Sequence, residues 1–166
     1  MVRQVVVPSG NLGVTLITHL QPIGVNAGGL SSGAFTKIPL NTIVTGADNI
    51  QGLASDQIQL IANSPYLIYG WANAFNVDST TWRVQDVTNN VTVGASLAGF
   101  ATTTQIEAPF YAYIAAQSPA VTIEIQQRVA TTNLTTGFGL AAGTPNTLGE
   151  LYSAVYLFKL DGGKNE

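Results

Sequence analysis

The sequence predicts an all-β fold, a sandwich or a barrel. Strand-like stretches recur roughly every ten to twenty residues and are separated by Gly, Pro, Asn and Asp. Almost no stretch carries apolar residues at the three- and four-residue spacing of an amphipathic helix. The chain of 166 residues suits one domain and can bury a core without disulfides or a metal. We therefore expect about eight to ten short strands in two packed sheets.

Each candidate strand is a run of apolar, β-branched or aromatic residues that ends at turn-forming residues. Pro39 predicts an edge or a bend within its run. The connector GVNAGGLSSG has too much glycine for regular structure. The pair Asn89 and Asn90 predicts a turn, because Asn tolerates left-handed dihedral angles. In chain order the candidates are RQVVV, GVTLITHL, AFTKIPLNTIV, DQIQLI, YLIYGWANAFNV, TWRVQDV, VTVGASLAGF, APFYAYIAAQ, VTIEIQQRV and ELYSAVYLFKL.

The run VTIEIQQRV shows the clearest alternation in the chain. Its odd positions predict a core-facing side, with Gln127 as the exception. Its even positions form a polar side on which Glu124 and Arg128 could pair across strands or across subunits. The stretch TTNLTTGFG that follows is interpreted as a connector to the last strand, and nothing in it is suited to chemistry.

Charge is scarce in this chain. Asp, Glu, Lys and Arg make up 9% of residues, against about 25% in an ordinary soluble domain. The net charge of −3 leaves no basic patch for nucleic acid. Such a surface has little colloidal repulsion, which favours a protein that works inside an assembly, with a secreted or surface domain as the alternative. The sequence predicts neither a membrane helix nor a classical signal peptide, because its apolar runs are too short.

Three candidate strands are apolar on both faces: YLIYGWANAF, FYAYIAA and ELYSAVYLFKL. A strand of an isolated antiparallel sandwich should have one wet face. A neighbouring subunit is the favoured cover for the second face, because Tyr and Phe are enriched and charge is depleted in interface cores. The alternative cover is the protein's own loops. The predicted subunit contacts are Tyr66, Tyr111, Tyr113, Leu151, Tyr152, Val155, Tyr156 and Phe158.

Enzyme chemistry is not predicted. His19 is the single histidine and is expected to be structural, because no nucleophile motif accompanies it. The chain has no cysteine, so a thiolate site and a Cys nucleophile are excluded. Its nine carboxylates form no calcium loop, and its glycine clusters lack the lysine of a phosphate loop. We expect no cofactor and no metal site, and we expect Trp71 and Trp82 in the core.

Four motifs in one order give a resemblance over residues 21 to 160. These are VNAGG followed by SSGAF, the run LIANSPYLIYGWANAFNVDSTTWRVQ, the strand IEIQQRVATT, and the final ELYSAVYLFK. Together they resemble a domain of tailed-phage virion proteins with a TNF/C1q-type jelly roll. The resemblance implies homotrimers with the last strand near the three-fold axis. It leaves an axial cation held by symmetry as an open alternative.

The resemblance suggests a domain division and a function. We expect an attachment arm or strand over residues 1–20, a jelly roll over 21–161 and a polar tail over 162–166. We expect a structural protein on the virion exterior that decorates or cements the capsid. The alternative is a tail-fibre tip that recognises the host surface, although the short segment before the jelly roll argues against a long fibre. The predicted capsid contacts are Val2, Arg3, Val5, Val7, Leu12 and Val14.

Overall fold

The computed structural model describes residues 12–143 and 149–160. No helix in these ranges is long and apolar enough to cross a membrane. The single helical element there is one 3-10 turn, Ala47–Asn49. The strands are β1 (Leu12–Gln21), β2 (Thr36–Lys37), β3 (Thr42–Thr45), β4 (Gly52–Ala54), β5 (Gln57–Gln59), β6 (Tyr66–Phe75), β7 (Asp78–Asp86), β8 (Val91–Ser96), β9 (Gly99–Ala101), β10 (Gln105–Ile114), β11 (Thr122–Val129) and β12 (Glu150–Leu160).

The strands form two layers that are joined along one continuous hydrogen-bonded path. Their order is β3-β1-β12-β6-β10-β8-β7-β11-β5-β4, and the neighbouring strands are antiparallel. The path crosses between layers where β10 meets β8 over only three paired positions. We call β3-β1-β12-β6-β10 the inner layer and β8-β7-β11-β5-β4 the outer layer; β2 and β9 join the outer one. The predicted all-β sandwich is confirmed.

The core lies between the two layers and follows the period-two alternation of the strands. In β11, Ile123 and Ile125 are fully buried, as the alternation predicts. Gln127 is also buried, and its Nε2 donates to Thr80 Oγ1 at 3.0 Å. The largest fully buried side chains include Trp82, Tyr66, Phe110, Ile17, Leu30, Ile68 and Leu157.

Two predicted strands are each divided in the structure. AFTKIPLNTIV becomes β2 and β3, which are separated around Pro39, as expected for a residue that cannot donate to a ladder. VTVGASLAGF was predicted as one strand, but it forms β8 and β9 with a break at Leu97 and Ala98. Both pieces pair with β7, at positions far apart along that strand.

In the structure, the second half of the predicted N-terminal arm or strand over residues 1–20 lies inside the sandwich. Residues 12–20 belong to β1, which pairs with β12 from Leu12 opposite Leu160 to Gln21 opposite Glu150. β1 also pairs with β3 on its other side, so the inner layer is incomplete without it. Of the predicted capsid contacts, Val14 lies opposite Phe158 within this layer, and Leu12 begins the strand. The other four, Val2, Arg3, Val5 and Val7, lie outside the described residues.

The connector before β12 is held by Asn133. Its Oδ1 accepts from the backbone N–H of Thr136 at 3.1 Å, and its Nδ2 donates to the carbonyl oxygen of Phe75 at 3.0 Å. Its backbone exchanges hydrogen bonds of 2.7 and 2.9 Å with Leu30. This geometry accords with the interpretation of TTNLTTGFG as a connector, because its main polar side chain is occupied by backbone partners.

Candidate functional site

The outward side of the inner layer carries an exposed aromatic face. We define the aromatic face as three cross-strand rows that run through β1, β12, β6 and β10. The outward positions alternate with core residues such as Val155 and Ile68, which are fully buried. The rows are Val14–Phe158–Leu67–Tyr113, Leu16–Tyr156–Tyr69–Tyr111 and Thr18–Ala154–Trp71–Pro109.

The tyrosine side chains of this face touch one another but remain partly open, whereas Thr18 and Ala154 of the third row are buried. The Tyr69 ring lies 5.3 Å from Tyr111 and 6.0 Å from Tyr156, measured between ring centroids. Tyr111 and Tyr113 are each 57% exposed, and Leu67 is 44% exposed. The outward position next to Pro109 in β10 is Glu107, opposite Asn73. A charged residue therefore stands at the margin of the face, next to its third row. An exposed apolar patch of this kind marks an interaction surface.

The eight predicted subunit contacts fall in different places. Tyr111, Tyr113, Tyr156 and Phe158 lie on the aromatic face. Leu151 is exposed at the start of β12, opposite Leu20 and away from the three rows.

Three of the predicted contacts are corrected by their burial within the protomer. Tyr66 and Val155 are fully buried, so they pack in the sandwich core. The Tyr66 hydroxyl donates to the carbonyl oxygen of Asn49 at 2.7 Å. Tyr152 is buried beneath the connectors, where its hydroxyl donates to the carbonyl oxygen of Val25 at 2.8 Å. A side chain that is buried in this way is not available to a second subunit.

Sequence reasoning missed several members of the face. Leu16, Leu67, Tyr69 and Pro109 were not assigned to it, and Trp71 was expected in the core but lies half-buried on the face. The signal was present in the two-faced runs, but the pattern alone does not tell which side of such a strand points inward.

The outward side of the outer layer is polar and is tied together by side chains. Gln57 Nε2 donates to Glu124 Oε1 at 2.7 Å, and Arg83 Nε donates to Gln126 Oε1 at 2.7 Å. The Arg83 guanidinium lies 3.9 Å from the centre of the Phe35 ring, at cation–π distance. Glu124 is therefore bonded to amides, and the pairing with Arg128 that the sequence allowed is not formed within the chain.

His19 is buried against Tyr152, with ring centroids 5.5 Å apart. Burial lowers the pKa of His19 to about 4, although the nearby Asp56 carboxylate opposes this shift. Gln21 Nε2 lies 3.0 Å from His19 Nε2, within hydrogen-bonding distance. Within residues 12–143 and 149–160, no three His, Asp or Glu side chains are grouped to hold a metal ion.

Glu150 joins two connectors at one end of the inner layer. Its Oε1 accepts from the backbone N–H of Gly143 at 2.8 Å and of Gly24 at 3.2 Å, and its Oε2 accepts from Ala142 at 3.4 Å. These donors stabilise the carboxylate, and they hold the pKa of Glu150 below its usual value.

The fold and the strand order define a TNF/C1q-type jelly roll. The globular domain of zebrafish complement 1qA is similar, with a TM-score of 0.60 and 8% identity over 91% of this chain and 98% of that one. Murine APRIL has a TM-score of 0.59 and 11% identity over 90% and 100% of the two chains. Eiger TNF from S. frugiperda has a TM-score of 0.59 and 11% identity over 90% and 93%.

These likenesses show the shared fold alone, because the sequences are so different. No protein-family model and no curated protein sequence matches this chain.

Proposed function

We propose that this protein is a homotrimeric structural component of a tailed-phage virion that decorates or cements the capsid exterior. The observation that carries the assembly part is the aromatic face, where four neighbouring strands present apolar side chains outward without a charge. Burial of such a surface is favourable at roughly 25 cal/mol per Å². The virion part is supported by the motif order over residues 21 to 160.

A three-fold arrangement fits this face better than a flat two-fold contact. A closed ring uses a heterologous interface, in which one patch meets a different patch of the neighbour. The face offers two unlike halves: β1 and β12 carry half-buried Val14, Leu16, Tyr156 and Phe158, whereas β10 carries the more exposed Tyr111 and Tyr113.

The proposed mechanism of cementing is mass action. A trimer stabilises a shell only as far as it binds the assembled state more tightly than the free subunits. Light scattering of the purified protein tests the trimer, with a mass of about three times 17.4 kDa expected. The test uses about 100 micromolar protein, far above a dissociation constant of about 1 micromolar. A monomeric mass at that concentration would overturn the proposed trimer.

The second candidate function is a tail-fibre tip that recognises the host. It is favoured by Phe100 and Leu97, two highly exposed apolar side chains near the β8–β9 turn. Copy number in purified particles separates the two functions. Mass spectrometry or cryo-electron microscopy should find hundreds of copies for a decoration protein, whereas a few dozen or fewer would indicate a tail appendage.

A further inference from the structure

The outer layer carries a cleft that the aromatic face does not include. It has a volume of about 270 Å³ and opens beside β7, the end of β11 and the β8–β9 turn. Short side chains of Ser79, Ala98 and Ala130 leave the space, and Thr81 and Arg128 border it. Thr81 lies directly opposite Arg128 in the β7–β11 ladder, so both side chains project from the same outward surface.

Arg128 differs from the other arginine of this surface. Arg83 is engaged by Gln126 and by the Phe35 ring. Arg128 is exposed, and its guanidinium forms no ion pair or hydrogen bond with the described residues. The hydroxyls of Ser79 and Thr81 are likewise unbonded within that part of the chain, whereas the Thr80 hydroxyl accepts from Gln127. The cleft therefore presents a guanidinium and two hydroxyls that the fold does not use.

Within the described residues, no carboxylate forms an ion pair with the Arg128 guanidinium. Glu124 is on the same side of β11, but four residues of strand separate them by about 13 Å. Glu124 is also bonded to Gln57. The Asp78 carboxylate accepts from the Thr131 hydroxyl. A carboxylate ligand is the natural complement of such a guanidinium, because the two groups form paired hydrogen bonds.

An exposed aromatic residue outside the lining of the cleft neighbours Ser79. Phe100 is 73% exposed and lies directly opposite Ser79 in the β7–β9 ladder, so its ring projects on the same side as the cleft. A ligand that uses both features needs a carboxylate, several hydroxyls and one apolar ring face. The volume is just below the usual range of about 300–1,000 Å³ for ligand sites, which suits one small ring.

We propose that this cleft binds a carboxylated sugar unit, with its carboxylate on Arg128, its hydroxyls at Ser79 and Thr81, and its ring face on Phe100. The cleft lies on the layer opposite the aromatic face, so the inference stands whether or not the chain forms trimers.

Calorimetric titration of the full-length protein with glucuronic acid tests the proposal. We expect a dissociation constant of about 1 mM, typical of a ligand with so few atoms. Glucose and the methyl ester of glucuronic acid lack the charge and should bind at least about tenfold more weakly. N-acetylneuraminic acid, a carboxylated sugar of a different class, is tested in the same way. Binding of either acid supports the site.

Variants locate the binding. Arg128→Gln should weaken glucuronate binding about tenfold or more, and Arg128→Lys should weaken it less. Lys37→Gln is the matched control, because it removes one positive charge from the same layer and should leave binding unchanged. Phe100→Ala should weaken binding of glucuronate but not of acetate. Melting curves of the variants establish that each is folded.

Four results would overturn the proposal. The first is that neither acid binds at about 20 mM, which is far above the expected dissociation constant. The second and third are that glucose or acetate binds as tightly as glucuronate. The fourth is that a folded Arg128→Gln variant binds glucuronate as tightly as the native protein.

Discussion

Tyr69 of β6 lies directly opposite Tyr156 of β12, with ring centroids 6.0 Å apart and ring planes inclined by 28°. Tyr111 of β10 extends this row on the other side of Tyr69. Such aromatic pairs contribute about 0.5–1.5 kcal/mol beyond the burial of their area. The rings therefore fix one another in place while their outward surfaces remain available to a partner.

Substitution of Tyr111 by glutamate should abolish self-association. Tyr111 is more than half exposed in the protomer, so the charge costs little in the isolated subunit, but its burial unpaired in an interface would cost several kcal/mol. Light scattering at equal concentrations should give trimer for the native protein and monomer for the variant.

Val91→Glu is the control for that substitution. Val91 is 52% exposed on β8, in the outer layer, so the same charge placed there should leave the trimer intact. Dissociation by Val91→Glu as well would move the interface to the outer layer and contradict the role of the aromatic face.

Removal of the Tyr66 hydroxyl should destabilise the fold itself. This hydroxyl donates to the Asn49 carbonyl and accepts from the Ile61 N–H, and both partners are only partly solvated. Tyr66→Phe should lower the free energy of unfolding by about 1–3 kcal/mol. Tyr113→Phe, on the exposed face, should change it by less than about 0.5 kcal/mol. Urea denaturation of the two variants makes the comparison, and equal effects would contradict the placement of Tyr66 in the core.

The stability of the protein should fall as the pH drops from about 6.5 to about 4. His19 has a folded-state pKa of about 4, below its ordinary value of 6.5. In this window His19 binds a proton in the unfolded chain but stays neutral in the folded chain, so acid favours unfolding. The stability that neutral His19 confers is fully present above pH 6.5. His19→Phe keeps a ring against Tyr152 and should make the urea midpoint less dependent on pH across this window. An unchanged pH dependence would contradict the role of His19 in the acid sensitivity.

A second, more acidic transition should depend on Glu150. The pKa of Glu150 is lowered in the folded state. Its contribution to stability is therefore present at pH values above its unfolded-state pKa and is lost as the pH falls through its folded-state pKa. Glu150→Gln should have a lower melting temperature than the native protein at pH 7, and this difference should disappear in strong acid. Glu107→Gln, at an exposed glutamate, is the matched control and should shift stability by less than about 0.5 kcal/mol. A gap that persists at low pH would contradict this origin.

Much of the fold could be predicted because its signals are local. Alternation in the run from Val121 to Val129 identified β11 and its buried side. The three runs that are apolar on both faces proved to be adjacent strands of one layer, β12, β6 and β10. That adjacency explains the pattern, because each of these strands contributes to the core on one side and to the aromatic face on the other.

The remainder depended on long-range pairing. In YLIYGWANAF both sides are apolar, so only the packing of the whole sandwich, in which Tyr66 is fully buried, shows that Tyr66 points inward. The sequence predicts GVTLITHL as a strand but not its place within the jelly roll, because its main partner, β12, is the last strand of the described chain. Glu124 and Arg128 share a face by spacing, but four residues of extended strand are too far for an ion pair. The cleft combines residues of β7, of the end of β11 and of the β8–β9 turn, which no local pattern brings together.

The pairing of Leu12 with Leu160 places the entrance and the exit of the sandwich side by side. Directly paired positions in an antiparallel ladder have Cα atoms about 4.5–5.5 Å apart. In a variant without residues 1–11 and 161–166, a short linker could therefore join Leu12 to Leu160, and the chain could be reopened at an exposed turn such as Asn89–Asn90 without a change in strand order. In topological terms, the strands from Leu12 to Leu160 form a nearly closed circuit.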